Sequence, residues 1–493
     1  MFAFALYDKV RKKMILGRDR LGIKPLFYKI NKNHVLFGSD ARTLTDASAP
    51  DISELGFLSF MSFGYTGQDS IFSDVHKLDP GSILEINGTS IKFKSYWSIN
   101  EFGISDVSDK DAEEELSFLL KDSVRLQLRS DVPLGIFLSG GVDSSAIVAL
   151  ADEVLRVPVN TYSIEYRNKN GRDSIFAAQV SQQYKTNHTK LVIGPDEAEL
   201  YLNDLLYLLD EPIADSAILA TYALSYRAKQ DGVKVLLSGA GGDEIFGGYS
   251  RYQRPKILSK YWLRNFILSN NSKYYSSLVK KIHPSMASRI SNQSLNYAAQ
   301  ISGVDYSLIR ELLGADRYES LIKVVMSEYE LIQNNEQKIG YEYARMNQDL
   351  NGYLVNNILA LTDKASMAAS IEARVPLLDH RLVEYAYRLQ SKVNMFGGQP
   401  KGLFKKTLEK RLSSDVLYRK KEGFNAPMKQ WVSGGSGKRM KENLLGETSE
   451  ALKSNVNMKN LEKMLSQGSF EKRGFETLFS LYMFNRWWNA NYA

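Results

Sequence analysis

An α/β fold built on a parallel sheet, preceded by a β-rich unit and followed by a helical part, is what this 493-residue sequence predicts. Three observations predict it. Between about 110 and 240, short apolar runs alternate with helical-period segments of about 10–15 residues, the pattern of strands joined by crossover helices. Residues 1–100 carry short alternating runs parted by charged turns. Beyond 250 the chain is rich in Tyr, Lys and Ser and shows no strand alternation.

In chain order, Phe2 to Tyr7, Lys13 to Leu16, Leu26 to Ile30 and Val35 to Gly38 predict strands. Asn87-Gly88 between Ile83–Ile86 and Ile91–Phe93 predicts a hairpin, because both turn residues tolerate positive φ. Phe2-Ala3-Phe4-Ala5-Leu6 has the composition of a buried strand with partners on both sides, so the domain is expected to begin further upstream. Leu116, Leu119, Leu120, Val124 and Leu128 then fall at helical spacing. Strands are predicted at Leu134–Leu138, Thr161–Glu165, Thr189–Ile193 and Val233–Ser238, with helices at Ser144–Leu155, Ser174–Tyr184 and within 196–230. The closing Leu478, Phe479, Leu481, Tyr482, Phe484, Trp487 and Trp488 form a helical stripe, expected to be core packing.

Composition narrows the function classes. The chain is 44% hydrophobic and 24% charged, close to globular averages, with no apolar run long enough to span a membrane and no signal-peptide pattern. A cytoplasmic protein without a membrane partner is expected. Zero cysteines exclude disulfides, thiolate zinc sites and a cysteine nucleophile within this sequence. Five scattered histidines (His34, His76, His188, His283, His380) weigh against a histidine metal cluster. The net charge of +7 is interleaved with acidic residues and never reaches a run of five or six, which argues for an anionic-ligand pocket over nucleic-acid binding.

Ligands of parallel sheets bind beyond the carboxyl ends of the strands, so the loops after the predicted strands carry the chemistry. The first is Ser139-Gly140-Gly141-Val142-Asp143-Ser144-Ser145, between a strand and a helix. Paired glycines let successive N–H groups face one anion, serine hydroxyls add donors, and the helix start adds partial positive charge. Asp143 beside such a site repels a phosphate unless a cation lies between, which points to Mg²⁺. The plainer alternative is a glycine turn with a cap at Asp143 or Ser144. No Gly-Lys-Ser/Thr follows, so this is not a Walker A loop; it suits splitting ATP between its α- and β-phosphates.

The second loop, Ser238-Gly239-Ala240-Gly241-Gly242-Asp243-Glu244-Ile245-Phe246-Gly247-Gly248-Tyr249, should open on the same sheet edge and bring Asp243 to Asp143 as a Mg²⁺ pair. Taken alone it could be a cap and packing turn. In Ser366–Asp379, small residues suit tight helix packing, Glu372 with Arg374 could form a buried ion pair, and structural and substrate-contact roles are both open. Lys401 follows the turn Gly397-Gly398-Gln399-Pro400 and could hold a leaving pyrophosphate, although a single lysine is ordinarily solvated surface.

Together these loops resemble those of the glutamine-dependent asparagine synthetase family, over nearly the whole chain. Ser139–Ser145, Ser238–Tyr249 and Glu372–Asp379 are the most specific parts. In residues 1–100, Met1–Asp8, Gly17–Leu26 and Asp79-Pro80-Gly81 are similar to the second half of that family's amino-terminal glutaminase domain. The resemblance implies a partial class-II glutamine amidotransferase domain of N-terminal-nucleophile type over 1–100. It also implies an ATP-pyrophosphatase synthetase domain, adenine nucleotide alpha hydrolase-like, over 110–493. In the family, ammonia freed from glutamine displaces AMP from an adenylated aspartate side chain. The implied cofactors are ATP and Mg²⁺. The implied partners are small-molecule substrates, aspartate or another carboxylate with ammonia or glutamine, and a second copy of the chain or a separate glutaminase subunit. Carried over by residue, Ser139, Gly140, Gly141, Asp143 and Ser144 match the pyrophosphate loop, and Asp143 and Asp243 the magnesium carboxylates. Phe137, Leu138, Ile164, Ser238 and Gly239 fall where the family holds the nucleotide, and Lys401 where it stabilises charge on pyrophosphate and adenylate.

Two departures matter. The sequence has no cysteine and starts at a point matching the inside of the glutaminase domain, so glutamine hydrolysis by this polypeptide alone is not expected. Ala240 stands where the family carries an acidic residue tied to the aspartyl-adenylate step, which leaves open amidation of another carboxylate such as a sugar acid. A non-catalytic nucleotide-binding relic is a further reading, weakened by the retained Asp143, Asp243 and Lys401. A tRNA-modifying adenylating enzyme would explain the first loop but neither the second nor residues 1–100. Asp143→Ala is expected to abolish turnover and leave the fold intact.

Overall fold

The computed structural model describes the whole chain except residues 33, 46–49, 104, 168–171, 253–292, 390–397, 420–424, 429, 431–434, 469, 471–473 and 493. Residues 1–100 give β1 (Ala3–Asp8), β2 (Lys13–Arg18), β3 (Phe27–Ile30), β4 (Val35–Gly38), helix α1 (Glu54–Phe63), β5 (His76–Lys77), β6 (Ser82–Asn87) and β7 (Ser90–Ser95). They form an antiparallel sheet of order β1-β2-β6-β7 and a smaller one of order β4-β3-β5. The β6–β7 hairpin closes at Asn87 and Ser90, and of the predicted turn pair only Gly88 takes positive φ, at 58°. Among the described residues β1 pairs with β2 alone, and Phe4 and Leu6 are 42% and 51% exposed. Helix α1 interrupts the β-rich stretch. Its length is almost wholly buried, so it lacks the polar face that helical periodicity would reveal.

The parallel sheet follows. Its elements are α2 (Asp109–Gln127), β8 (Leu134–Phe137), α3 (Val142–Leu155), β9 (Asn160–Tyr166), α4 (Asp173–Gln183), β10 (Asn187–Ile193), α5 (Pro195–Leu208), α6 (Ala217–Gln230), β11 (Val235–Leu237) and α7 (Gly242–Phe246). The strand order is β10-β9-β8-β11-β12, where β12 is Glu372–Arg374, with every pair parallel. Side chains alternate between two cores: Phe137, Ile164 and Leu236 meet α5 and α6, while Ile136, Leu138, Val235 and Leu237 meet α2 and α3. Both faces are therefore covered, which is why the central β8 and β11 are continuous apolar runs. From β8 the chain steps out through β9 to β10, then returns to the other side of β8 for β11. The crevice of such a sheet lies at that reversal, beyond the carboxyl end of β8.

Among the described residues the remaining chain is mostly helical, as predicted, with one short strand. After α8 (Gln293–Ser302), α9 (Tyr306–Leu313), α10 (Ala315–Ile339), α11 (Tyr341–Asn351), a π-helical turn at Leu354–Leu359 and α12 (Ala360–Ala368), the short β12 (Glu372–Arg374) joins the sheet edge. Three residues are too few to show alternation, so periodicity could not find it. Helices α13 (His380–Leu389), α14 (Gly402–Leu408) and the last, α15 (Phe475–Tyr492), follow. The aromatic stripe of α15 is core: Trp487 and Phe484 are fully buried, and the Phe484 ring meets Phe57 of α1 at 5.0 Å. None of the described helices is long and apolar enough to cross a membrane.

Two consecutive acids tie the amino-terminal sheets to the parallel-sheet region. Asp210 accepts from the Ala41 backbone N–H (3.0 Å) and from Lys364 Nζ (2.5 Å). Glu211 accepts from the Ile71 N–H (2.9 Å) and pairs with Lys77 (3.2 Å). Both acids are buried.

Candidate active site

The loop after β8 turns at Gly140, whose φ of 72° favours glycine. A Cβ there would lie 2.5 Å from the Asp173 carbonyl oxygen and 2.7 Å from the Ala177 nitrogen, so the loop leans directly on α4. Helix α3 starts at Val142, with Gly141 as a cap that has no side chain to offer. The alternative of a cap by Asp143 or Ser144 does not hold. Ser144 Oγ instead accepts from the Ser139 N–H (3.1 Å) and donates to the Gly141 carbonyl (3.1 Å), and the Gly141 N–H reaches Ser139 Oγ (3.3 Å). These bonds hold the turn open around the helix start.

The loop after β11 sits beside it because Leu237 pairs with Ile136 across the ladder. Their contact is too close for side chains on the second loop. A Cβ at Gly239 would meet Ser144 N at 2.9 Å, and one at Gly242 would meet Asp143 Oδ1 at 2.4 Å. Asp243 opens α7, and the Ser238 N–H donates to the Arg374 carbonyl of β12 (2.7 Å).

Lys401 joins the two loops. Its Nζ lies 2.6 and 2.7 Å from the two oxygens of Asp143 and 2.8 Å from Asp243 Oδ1. The side chain is only 4% exposed, so the solvated-surface alternative does not hold. Burial alone would push the amine's pKa down; the two carboxylates outweigh it and hold Lys401 above the usual lysine range. Its backbone is left-handed (φ 56°, ψ 33°) where it caps α14, a conformation a lysine adopts only under surrounding constraint. Gly248 makes room for the stem: a Cβ there would lie 1.9 Å from Asp243 Oδ1 and 2.2 Å from Lys401 Cε.

The other predicted positions are less alike. Phe137 and Ile164 are buried on the α5–α6 face of the sheet. Leu138 is wholly enclosed on the opposite face, and its backbone N–H is taken by the Tyr162 carbonyl (2.8 Å). Ser238 and Gly239 lie in the second loop, against the first. Glu372 and Arg374 do pair (2.9 Å), but Glu372 is 40% exposed rather than buried. Arg374 also donates to the carbonyls of Gln127, the last residue of α2 (2.8 Å), and of Arg129 just beyond it (2.7 Å), which is a structural task.

Sequence reasoning missed two features. One turn after Lys401, Lys405 is buried; burial first, and then the Lys401 charge, push its pKa below the usual lysine value. Spacing of four residues on one helix was the available signal. Behind the second loop, Tyr249 donates to Glu244 (2.8 Å), and the Arg251 guanidinium stacks 3.7 Å over the Tyr249 ring. Arg251 pairs with Asp349 (2.6 Å), which also accepts from the Tyr252 hydroxyl (2.7 Å).

Chemically, the site offers two carboxylates converging on one cation, next to an N–H-lined turn at a helix start. Hard oxygen donors of this kind fit Mg²⁺. Among the described residues no group of three or more His, Cys, Asp or Glu side chains gathers, so phosphate oxygens and water would have to complete the shell.

A family model described as asparagine synthase matches residues 115–489, and one described as a glutamine amidotransferase domain matches residues 1–97. The chain is 29% identical over 450 residues to asparagine synthetase [glutamine-hydrolyzing] 1 of Bacillus subtilis, covering 88% of this chain and 68% of that one. A putative asparagine synthetase 2 of Methanocaldococcus jannaschii is 32% identical over 262 residues, half of this chain and 49% of its own length. Among solved structures, an NMN synthetase from Francisella tularensis aligns at 21% identity over 29% of this chain and 60% of that one, with a TM-score of 0.21. That likeness is too loose to bear on the site.

Proposed function

Since the chain belongs to the asparagine synthase family, we propose that it is an ATP-dependent amide-forming ligase, with aspartate as acceptor and ammonia as nitrogen donor. The supporting observation is the convergence of Asp143, Asp243 and Lys401 within 2.6–2.8 Å at the sheet's reversal point. Residues 1–100 would be the amidotransferase domain and 110–493 the synthetase domain.

In this reading the triphosphate lies along the Ser139–Ser145 turn, where backbone N–H groups, Ser139 and the start of α3 offset its charge. The acceptor carboxylate oxygen attacks the α-phosphorus, the bond to the bridging oxygen breaks, and pyrophosphate leaves. Ammonia then attacks the acyl carbon, loses one proton, and AMP departs. Asp143 and Asp243 would hold Mg²⁺, which when bound neutralises charge on the phosphates. Lys401 offsets the charge that builds on pyrophosphate, and its enclosed position makes that interaction stronger than it would be in water.

A second reading, amidation of another carboxylate such as a sugar acid, is favoured by Ala240, which places a methyl group in the second loop where the family carries an acid. The test is direct. With MgATP, aspartate and ammonium, the purified protein should release pyrophosphate and AMP in equal amounts. Release with a sugar acid but not aspartate would select the second reading, and no release with either would reject both. Ammonium is the donor to use because the sequence holds no cysteine thiol for glutamine hydrolysis.

A further inference from the structure

The charge logic of the first loop demanded a cation between Asp143 and an incoming phosphate, and the fold supplies one from its own chain. We infer that Lys401 Nζ and a divalent cation are alternative occupants of one carboxylate cradle. The amine is the resting counter-ion of Asp143 and Asp243, and the cation carried in with the nucleotide turns it out toward the phosphates. The inference rests on the reading of those two carboxylates as dication ligands.

Geometry carries it. The amine touches both oxygens of Asp143 (2.6 and 2.7 Å) and Oδ1 of Asp243 (2.8 Å), and thus fills the point on which the two carboxylates converge. A Mg²⁺ ion needs such oxygens at about 2.1 Å. Two cations bound to the same oxygens would stand only a few ångströms apart in an enclosed site, where repulsion is poorly screened. One must leave. The lysine can, because it hangs from a long flexible stem, whereas the carboxylates sit on short side chains in the first turns of α3 and α7. Lys405, buried one turn further along α14, adds a second positive charge that opposes a resident dication until phosphate arrives. The arrangement makes metal binding wait for nucleotide: bare cation meets a filled cradle, while the metal–nucleotide complex brings anionic oxygens that receive the displaced amine.

The test uses Mn²⁺ alone as probe, read by electron paramagnetic resonance on the nucleotide-free protein. Lys401→Met keeps the length of the stem and removes the charge. Its Mn²⁺ affinity should exceed that of the wild type by about tenfold or more, the factor lost when a competing occupant fills the site most of the time. Mn²⁺ should also raise the melting temperature of the variant and not that of the wild type. Equal affinities would overturn the inference. If the variant unfolds without metal because the two carboxylates have lost the amine's charge, recovery of the fold on adding Mn²⁺ supports the inference, and failure to recover overturns it. Lys401→Met with Asp243→Asn, which relieves the repulsion, should fold and lose the gained site; a gain that survived in it would place the Mn²⁺ elsewhere and overturn the inference. Asp143→Asn separates the two ideas. If it leaves Mn²⁺–ATP binding intact, the dication reading itself fails. If it abolishes that binding while Lys401→Met gains nothing, only the exchange fails.

Discussion

Alanine at position 248 would put a methyl carbon 1.9 Å from Asp243 Oδ1 and 2.2 Å from Lys401 Cε, both inside the 3.0 Å that real Cβ contacts keep. The obstructing atoms are ends of side chains, so they give way rather than the backbone. The carboxylate and the lysine stem must each retreat by about 1 Å, a misplacement of the size that costs on the order of 10²-fold in turnover. The fold suffers less. Overpacking costs about 1–3 kcal/mol, and flexible obstructing atoms place this case near 1 kcal/mol, a shift of a few degrees at most in melting temperature. Pyrophosphate release with MgATP, aspartate and ammonium, measured beside a thermal melt, reads both effects. Gly103→Ala is the control, since nothing lies within 4 Å of a Cβ there. Gly248→Ala with wild-type pyrophosphate release would refute the claim that Asp243 and Lys401 act from these positions.

Asp143→Ala should abolish pyrophosphate release and, contrary to the expectation from sequence, also weaken the fold. It strips the buried Lys401 of two of its three contacts, an effect of about 1–3 kcal/mol by urea unfolding. Asp349→Ala leaves the buried Arg251 without its counter-ion and should cost about 3–5 kcal/mol in the same assay, with Asp349→Asn recovering the Tyr252 hydroxyl bond. His188 bonds Thr161 Oγ1 (2.9 Å) and Ser163 Oγ (3.0 Å), and burial, aided by Lys190, holds its pKa below the usual 6.5. Between that lowered value and 6.5 the unfolded chain binds the proton and the folded one does not. Unfolding free energy should therefore rise with pH across this window, and the rise should be smaller in His188→Gln.

The parts of the fold visible in sequence are those where local pattern and tertiary setting agree. Strands β8 and β11 are apolar runs because both sheet faces are covered, and the loops after them announced themselves through glycines beside aspartates. What stayed hidden depended on distant chain. Helix α1 is buried on all sides by partners that include α15, so nothing in its own period marks it. Strand β12 exists because β11 offers it a ladder. Lys401 lies 258 residues from Asp143 in the chain, and only the fold shows that its amine ends between the two carboxylates.

Asp210 and Glu211 carry a consequence for how such proteins can be recombined. Each spends its carboxylate on a main-chain N–H of the other region and on one lysine. A graft that exchanged residues 1–100 for an unrelated module would keep both anions, lose the amides they grip and take Lys77 from Glu211, leaving that buried charge uncompensated and Asp210 with Lys364. Chimeras that respect the seam must therefore transplant the amides of Ala41 and Ile71 with their acids, or replace both acids with neutral side chains. The boundary that matters for shuffling is this four-point clasp, not the stretch of chain between the two sheets.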